Sequence, residues 1–242
     1  MSISGSLSNA MSGLNAASRG AEVVSANVAN AMTEGYGRRE LETSSLSLGG
    51  NGAGVSINGI QRSVDQPTIA QRRLAQSALG ADKTAVNFYS RLEAEIGLPD
   101  DPKSLTGQIA NLEASLIEAA SRPDSEPRLD VVVTAAKHIA EKFNAVSDNI
   151  QALRMDADQS IANKVSLLND NLAKISQMNY DIQQFITGGQ DASALMDQRQ
   201  KLSDDAANIV PVREIQRDHG QIALYTPGGA ILVDGKAATI GF

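Results

Sequence analysis

The chain has no cysteine and no tryptophan. Without thiols, disulfides, zinc–thiolate sites and thiol nucleophiles are all excluded. Aromatic residues make up only 3% of the 242 positions, so the ring surfaces that anchor most compact cores are scarce. No stretch approaches the roughly 18 unbroken apolar residues of a membrane span. Basic residues are also in deficit. The formal net charge is −7, and the longest basic clusters are the pairs Arg38-Arg39 and Arg72-Arg73, read as solvated surface. Nucleic-acid binding would need a basic face, which this composition does not supply. The opening residues do not read as a secretory signal, since there is no basic leader and Ser2, Ser4, Gly5, Ser6, Ser8 and Asn9 interrupt the apolar residues.

What the chain does have is Ala, Ser, Asn, Gln, Asp and Leu, a composition suited to long helices packed side by side. The pattern is clearest at the start. Ile3, Leu7, Ala10, Leu14, Ala17, Ala21, Val24, Val28 and Ala31 follow one another in alternating steps of four and three. That is the coiled-coil period, and it marks these residues as a subunit interface. The remainder of the segment is small and neutral, with charge only at Arg19 and Glu22 and glycines at 5, 13 and 20. Each internal glycine costs about 1 kcal/mol relative to Ala, so the helix is expected to order within a crowded assembly. An amphipathic helix docked on its own domain is the plainer alternative.

The segment Ser25–Arg39 then reads as a helix stop, with Thr33 a poor helix former and Gly35 free to turn left-handed. It resembles the N-terminal signature of the axial proteins of the bacterial flagellum, the family of rod, hook and hook-associated subunits. The matching residues are Asn27, Ala29, Asn30, Thr33, Gly35 and Tyr36, followed by Gly37, Arg38 and Arg39. Glu34 stands where the family commonly has Pro. Two later segments are similar to those of the hook-associated members: Gly54-Val55-Ser56-Ile57-Asn58-Gly59-Ile60-Gln61-Arg62-Ser63-Val64-Asp65, and Leu195-Met196-Asp197-Gln198-Arg199-Gln200-Lys201-Leu202. In the latter, Gln200 replaces the family's usual Asp.

Between these landmarks the sequence is helical. Residues 40–53 are Ser- and Gly-rich and are expected to form a loop, ending Gly49-Gly50-Asn51-Gly52-Ala53-Gly54, with one short strand at Val55–Ile57. No Lys-Ser/Thr follows the last glycine, so this is no phosphate cradle. Helices are expected at about 66–96, at 104–120 with a stripe of Leu105, Ile109, Leu112 and Leu116, and at about 128–186. The last would be about 90 Å long. Its heptad pattern stutters at 157, 161 and 165, which predicts a bend or break near Asp156-Ala157-Asp158. A further helix containing Asp197 and Arg199 runs to about 208. Those two side chains lie two residues apart and cannot pair along it. From Ile209, short strands alternate with turns at Asp218-His219-Gly220, Pro227-Gly228-Gly229 and Asp234-Gly235.

The expected fold is therefore mainly α: an N-terminal axial helix and joint segment (1–48), an elongated helical bundle with a short strand (49–208), and the start of a β domain (209–242). Catalysis finds no support. His138 and His219 are the only histidines, neither has triad or metal-ligand spacing, and the carboxylate pairs Asp100-Asp101 and Asp204-Asp205 read as helix-end solvation. No cofactor or metal is expected.

The resemblance implies a structural subunit joining hook and filament. It implies export through the flagellar apparatus with a chaperone and without a cleaved signal, and a final position outside the cell. Its implied partners are copies of itself, hook protein and a neighbouring hook-associated protein, with no nucleic acid and no membrane insertion. It further implies a larger outer β domain and a closing heptad helix, neither of which precedes Phe242, so that the chain is expected to be either truncated or unusually short. Alternatives are a hook or distal-rod subunit, and a soluble coiled-coil binding module such as an export chaperone or regulator.

Overall fold

A helix starts where the first free N–H groups are satisfied, and the chain marks these points clearly. In the computed structural model, which describes residues 3–48 and 51–242, Asp65 accepts from the Thr68 amide at 3.2 Å and its hydroxyl at 2.7 Å. This cap opens helix α2 (Gln66–Ile96), which tolerates Pro67 in its first turn. Ser104 does the same for α3 (Leu105–Ser121), accepting from Gly107 N at 2.9 Å. α4 (Glu126–Thr187) closes on Gly188-Gly189, where Gln190 N reaches Phe185 O at 2.8 Å. α1 (Ile3–Ala29) precedes these and α5 (Ser193–Ala207) follows them. The fold is mainly α.

α4 is a single helix through Asp156–Asp158, and the break expected there does not occur. No Gly or Pro lies between Arg128 and Thr187 to cause one. The stutter is absorbed within a continuous hydrogen-bond ladder.

A second correction concerns residues 40–53. Strands β1 (Arg38–Leu48) and β2 (Asn51–Ser63) form a long antiparallel hairpin where a loop with one short strand was expected; Gly49 and Gly50 lie outside the described residues. The glycines misled because they sit at bulges. The register shifts between Glu42 and Thr43 and between Leu46 and Ser47, leaving Asn58 and Ala53 as the extra residues. Gly54, beside the second bulge, has φ +103°.

The chain folds as two compact units, one of residues 1–78 with 165–241 and one of residues 79–164. α2 and α4 contribute segments to both, so the sequence boundaries at 48 and 208 fall inside the first unit. There, β3 (Arg213–Gln216), β4 (Ile222–Tyr225), β5 (Ile231–Asp234) and β6 (Lys236–Ala237) form an antiparallel meander in that order. These strands do not stand apart from the helices. Ile222, Leu224, Leu232 and Val233 close one core with Leu168, Leu172 and Ile175 of α4, Ala206 and Ala207 of α5, and Val212.

The second unit consists of α2 from Leu79 onward, α3, and α4 up to Lys164. Its buried apolar side chains are few: Ala119, Val146 and Leu153. On α3 the buried residues are Ser115 and Ala119, whereas Ile109 and Leu116 of the expected stripe face solvent. Small residues allow the backbones to approach, and the large ones are left outside.

Candidate assembly surface and joint

α1 has two faces at heptad spacing, and they behave oppositely. The apolar stripe is open: Ile3 is 91% exposed, Leu14 71% and Val28 73%, and Leu7, Ala10, Ala17, Ala21, Val24 and Ala31 are exposed as well. The small, polar face is the one that docks, against the hairpin. Asn9 Nδ2 donates to Gly52 O at 3.0 Å, and Ser12 Oγ accepts from Val55 N at 3.1 Å. A Cβ on Gly54 would strike that same Ser12 hydroxyl, and a Cβ on Gly20 would touch Leu41. Val23 is the helix's one buried apolar residue. Asn9, Ser12 and Gly20 thus serve an internal contact, as the plainer alternative had it, while Ser4, Ser8, Asn15, Ser18 and Ser25 are exposed.

The end of α1 is built from its signature residues. Asn27 behaves as a strand surrogate: its Nδ2 donates to Arg39 O at 2.8 Å and its Oδ1 accepts from Arg39 N at 2.9 Å. Tyr36 OH adds a third bond to Oδ1 at 3.0 Å, and the Arg39 guanidinium lies 5.0 Å from the Tyr36 ring centroid. Asn30 closes the last turn, with its Nδ2 on Ala26 O at 3.0 Å and its Oδ1 taking the Thr33 hydroxyl at 3.2 Å. Gly35 turns the chain at φ +82°, in a region where a side chain would be strained. Ala29 ends the helix with an exposed side chain, and Arg38 faces solvent in a loose 3.5 Å pair with Glu40.

The three sequence segments singled out above meet at one carboxylate. Asp197 Oδ1 accepts from Gly37 N at 2.9 Å and from Arg62 Nε at 2.6 Å, while its Oδ2 lies 3.4 Å from Arg39 Nη2. Arg62 also donates to the Gln200 side chain. Gly37 is buried, and a Cβ there would run into the Arg62 guanidinium. Asp197 therefore ties the helix–hairpin joint to α5. Gln198 between its neighbours is exposed. Arg199 points elsewhere, 5% exposed, donating to Asn179 Oδ1 and Gly220 O, both at 2.7 Å. Burial pushes its guanidinium down to about 10, with Arg62 and Arg73 adding to the fall and Glu214 opposing it, so it stays charged at neutral pH.

Sequence reasoning missed the neighbouring ion cluster. Arg73, read as solvated surface, is 2% exposed. It donates to Asp204 Oδ1 and Glu214 Oε2, each at 2.6 Å, and Arg72 reaches the other Asp204 oxygen. Burial opposes the charge on Arg73, but Glu214 and Asp204 outweigh it and hold the pKa above the ordinary value. No local signal marks such a pair, because its partners lie far along the chain. His138 and His219 are both exposed, and the described residues contain no group of three or more candidate metal ligands. None of their helices is long and apolar enough to cross a membrane. This is a site for holding elements together.

Comparison with known proteins fits that character. The model of the flagellar hook-associated protein FlgK helical domain matches residues 90–240. The chain belongs to the FlgK family. The model of the flagella basal body rod proteins matches residues 7–36, α1 with the turn as far as Tyr36. Hook-associated protein 1 of Salmonella typhimurium is 28% identical over 239 residues, covering 96% of this chain and 43% of its own. The Bacillus subtilis protein of the same name is 24% identical over 220 residues, covering 86% and 43%. The chain thus spans less than half the length of these FlgK relatives. A solved flagellar hook junction protein FlgK from Burkholderia pseudomallei covers 70% of this chain and 29% of its own, with a TM-score of 0.62 at 21% identity, a likeness of fold. In FlgK terms, the joint links the rod-like N-terminal segment to the helical domain, since Gly37 follows the first match directly and Asp197 lies inside the second.

Proposed function

We propose that this chain is a structural subunit at the junction of the flagellar hook and filament, and that the apolar stripe of α1 is its assembly face. The observation that carries this reading is the pairing of two opposed faces on one helix. A helix already docked through Asn9, Ser12, Gly20 and Asn27 has no use within its own unit for Ile3, Leu7, Leu14, Val24 and Val28. Exposed apolar residues at heptad spacing cost solubility unless a neighbour covers them. Copies of the same stripe are the simplest cover. Hook protein and another hook-associated protein are the neighbours at either end, and the chain reaches this position outside the cell by flagellar export with a chaperone, without a cleaved signal. The match over residues 90–240 favours this reading over a hook or distal-rod subunit.

The test is a triple substitution, Leu7→Ser, Leu14→Ser and Val28→Ser, in a strain whose own copy is deleted. Because all three side chains are exposed, the purified variant should keep its helical circular dichroism and Tm while motility and filament attachment are lost. Normal motility would refute the assembly face. A collapsed Tm would show that the stripe serves the monomer, as in a free-standing coiled-coil module.

A further inference from the structure

Among the buried arginines of the first unit, Arg199 stands apart. Arg62 has Asp197, and Arg73 has Asp204 and Glu214. Arg199 meets only neutral oxygens, through one of its terminal nitrogens. Its Nε and other terminal nitrogen find no acceptor among the described residues. Glu214, whose charge acts on Arg199 without a hydrogen bond to it, is itself held by Arg73. A buried cation with no carboxylate of its own is costly, and proteins normally pair it.

Beside Arg199 lies a cavity of about 140 Å³ that adjoins the joint, lined also by Arg62, Gln66, Gln200, Glu214 and Met196. That is room for about four or five waters, or for one small anion with some of its hydration. Its polar lining is rich in donors. The second terminal nitrogen of Arg62 finds no acceptor among the described residues, and the Gln200 carbonyl oxygen is already taken by Arg62. The one carboxylate in the wall, Glu214, is held by Arg73 on one oxygen and by Gln216 on the other. Two guanidiniums therefore line the hollow together with one carboxylate, Glu214, whose charge Arg73 compensates.

We propose that this cavity is an anion site, taking one phosphate- or acetate-sized oxyanion between Arg199 and Arg62. A planar guanidinium with two parallel N–H groups suits an oxyanion held by two oxygens. The site is independent of the assembly reading, since it lies away from the α1 stripe and acts within a single subunit. Its effect is to neutralise the core beneath β4 and the Asp218–Gly220 turn, which Arg199 holds through Gly220.

Inorganic phosphate is the first probe, titrated calorimetrically into the full chain at constant ionic strength, set by a sulfonate too large to enter. One phosphate should bind per chain and raise Tm, and Arg199→Gln should weaken it at least tenfold. Acetate should compete; chloride, which cannot bridge two donors, should compete poorly. Because Arg199→Gln removes core hydrogen bonds and could unfold the chain, Gln66→Glu supplies the second arm. A carboxylate placed in the cavity wall should raise Tm in phosphate-free buffer and abolish the phosphate-dependent rise. No phosphate-specific rise in the parent chain, or an unchanged rise in Gln66→Glu, would overturn the proposal.

Discussion

The two halves of α4 share heptad spacing, in registers offset by the stutter, and meet different fates. Beyond residue 165, Leu168, Leu172, Ile175 and Ile182 are at most 1% exposed, packed in the first unit. Before it, the stripe of the second unit buries only Val146 and Leu153 fully, while Leu129 and Phe143 stay about half exposed. The period of a helix fixes which residues share a face; it does not say whether anything thick enough lies opposite. In the first unit a sheet and α5 supply that thickness. In the second there are only two other helices, and α3 turns its smallest residues inward. The charges divide in the same way. The first unit holds Arg73 at 2% exposure between two carboxylates, whereas the Arg91–Asp156 pair of the second, at 2.8 Å, is exposed on both sides. Burial makes the first pair structurally decisive, and solvent leaves the second worth little.

The largest expected effect follows from that contrast in charge. Arg73→Met strands the largely buried Glu214 and leaves Asp204 only the half-exposed Arg72, and should cost about 3–5 kcal/mol of the first unit's stability. The same substitution at Arg91 should cost less than about 1 kcal/mol. Denaturant unfolding followed by fluorescence probes placed in each unit checks both. Equal losses at the two arginines would erase the distinction between the units.

A leucine series along α4 sharpens it further. Leu172→Ala should cost about 3–4 kcal/mol, because the site is fully enclosed and cannot collapse. Leu153→Ala, in the thinner core, should cost about 2 kcal/mol, and Leu129→Ala, 46% exposed, under about 0.5 kcal/mol. A flat series would mean that the N-terminal half of α4 is covered as well as the other.

How much of this was legible in the sequence differs from element to element. The five helices and strands β4 and β5 were, because period, caps and Gly-Pro punctuation are local. The hairpin was not, since bulge glycines look like loop glycines until a partner strand gives them a register. The exposed stripe of α1 was identified residue by residue, but its docked face was misread: small neutral side chains suit a hairpin backbone as well as they suit a crowded assembly. The joint was half legible. Asn27 and Asp197 stood in recognisable segments, yet nothing local said that Gly37, Arg39 and Arg62 would converge on Asp197. Helix asparagines that bind a strand or loop backbone escaped entirely. Asn169 and Asn179 repeat the role of Asn27, each pairing with both backbone groups of a single residue, Ile240 and Ile222 respectively. In a sequence such an Asn is indistinguishable from a solvated one.

A more modest effect than Arg73→Met or Leu172→Ala is the one that isolates the second unit. Ser104 caps α3 and is almost fully buried, so Ser104→Ala removes the acceptor for Gly107 N without opening a large cavity. An N-cap of this kind contributes about 1 kcal/mol. In a unit held by Ala119, Val146 and Leu153, that is a sizeable share of the local stability; in the first unit it would be a minor one. Native-state hydrogen exchange reads the difference directly. Amides of α3 and of α4 between residues 130 and 160 should exchange about fivefold faster in the variant, the rate equivalent of 1 kcal/mol, while those of residues 168–182 keep the parent rate. Acceleration that spread equally to residues 168–182 would mean that the two halves of α4 open together, and the contrast between them would then be one of burial alone, with no separate stability behind it.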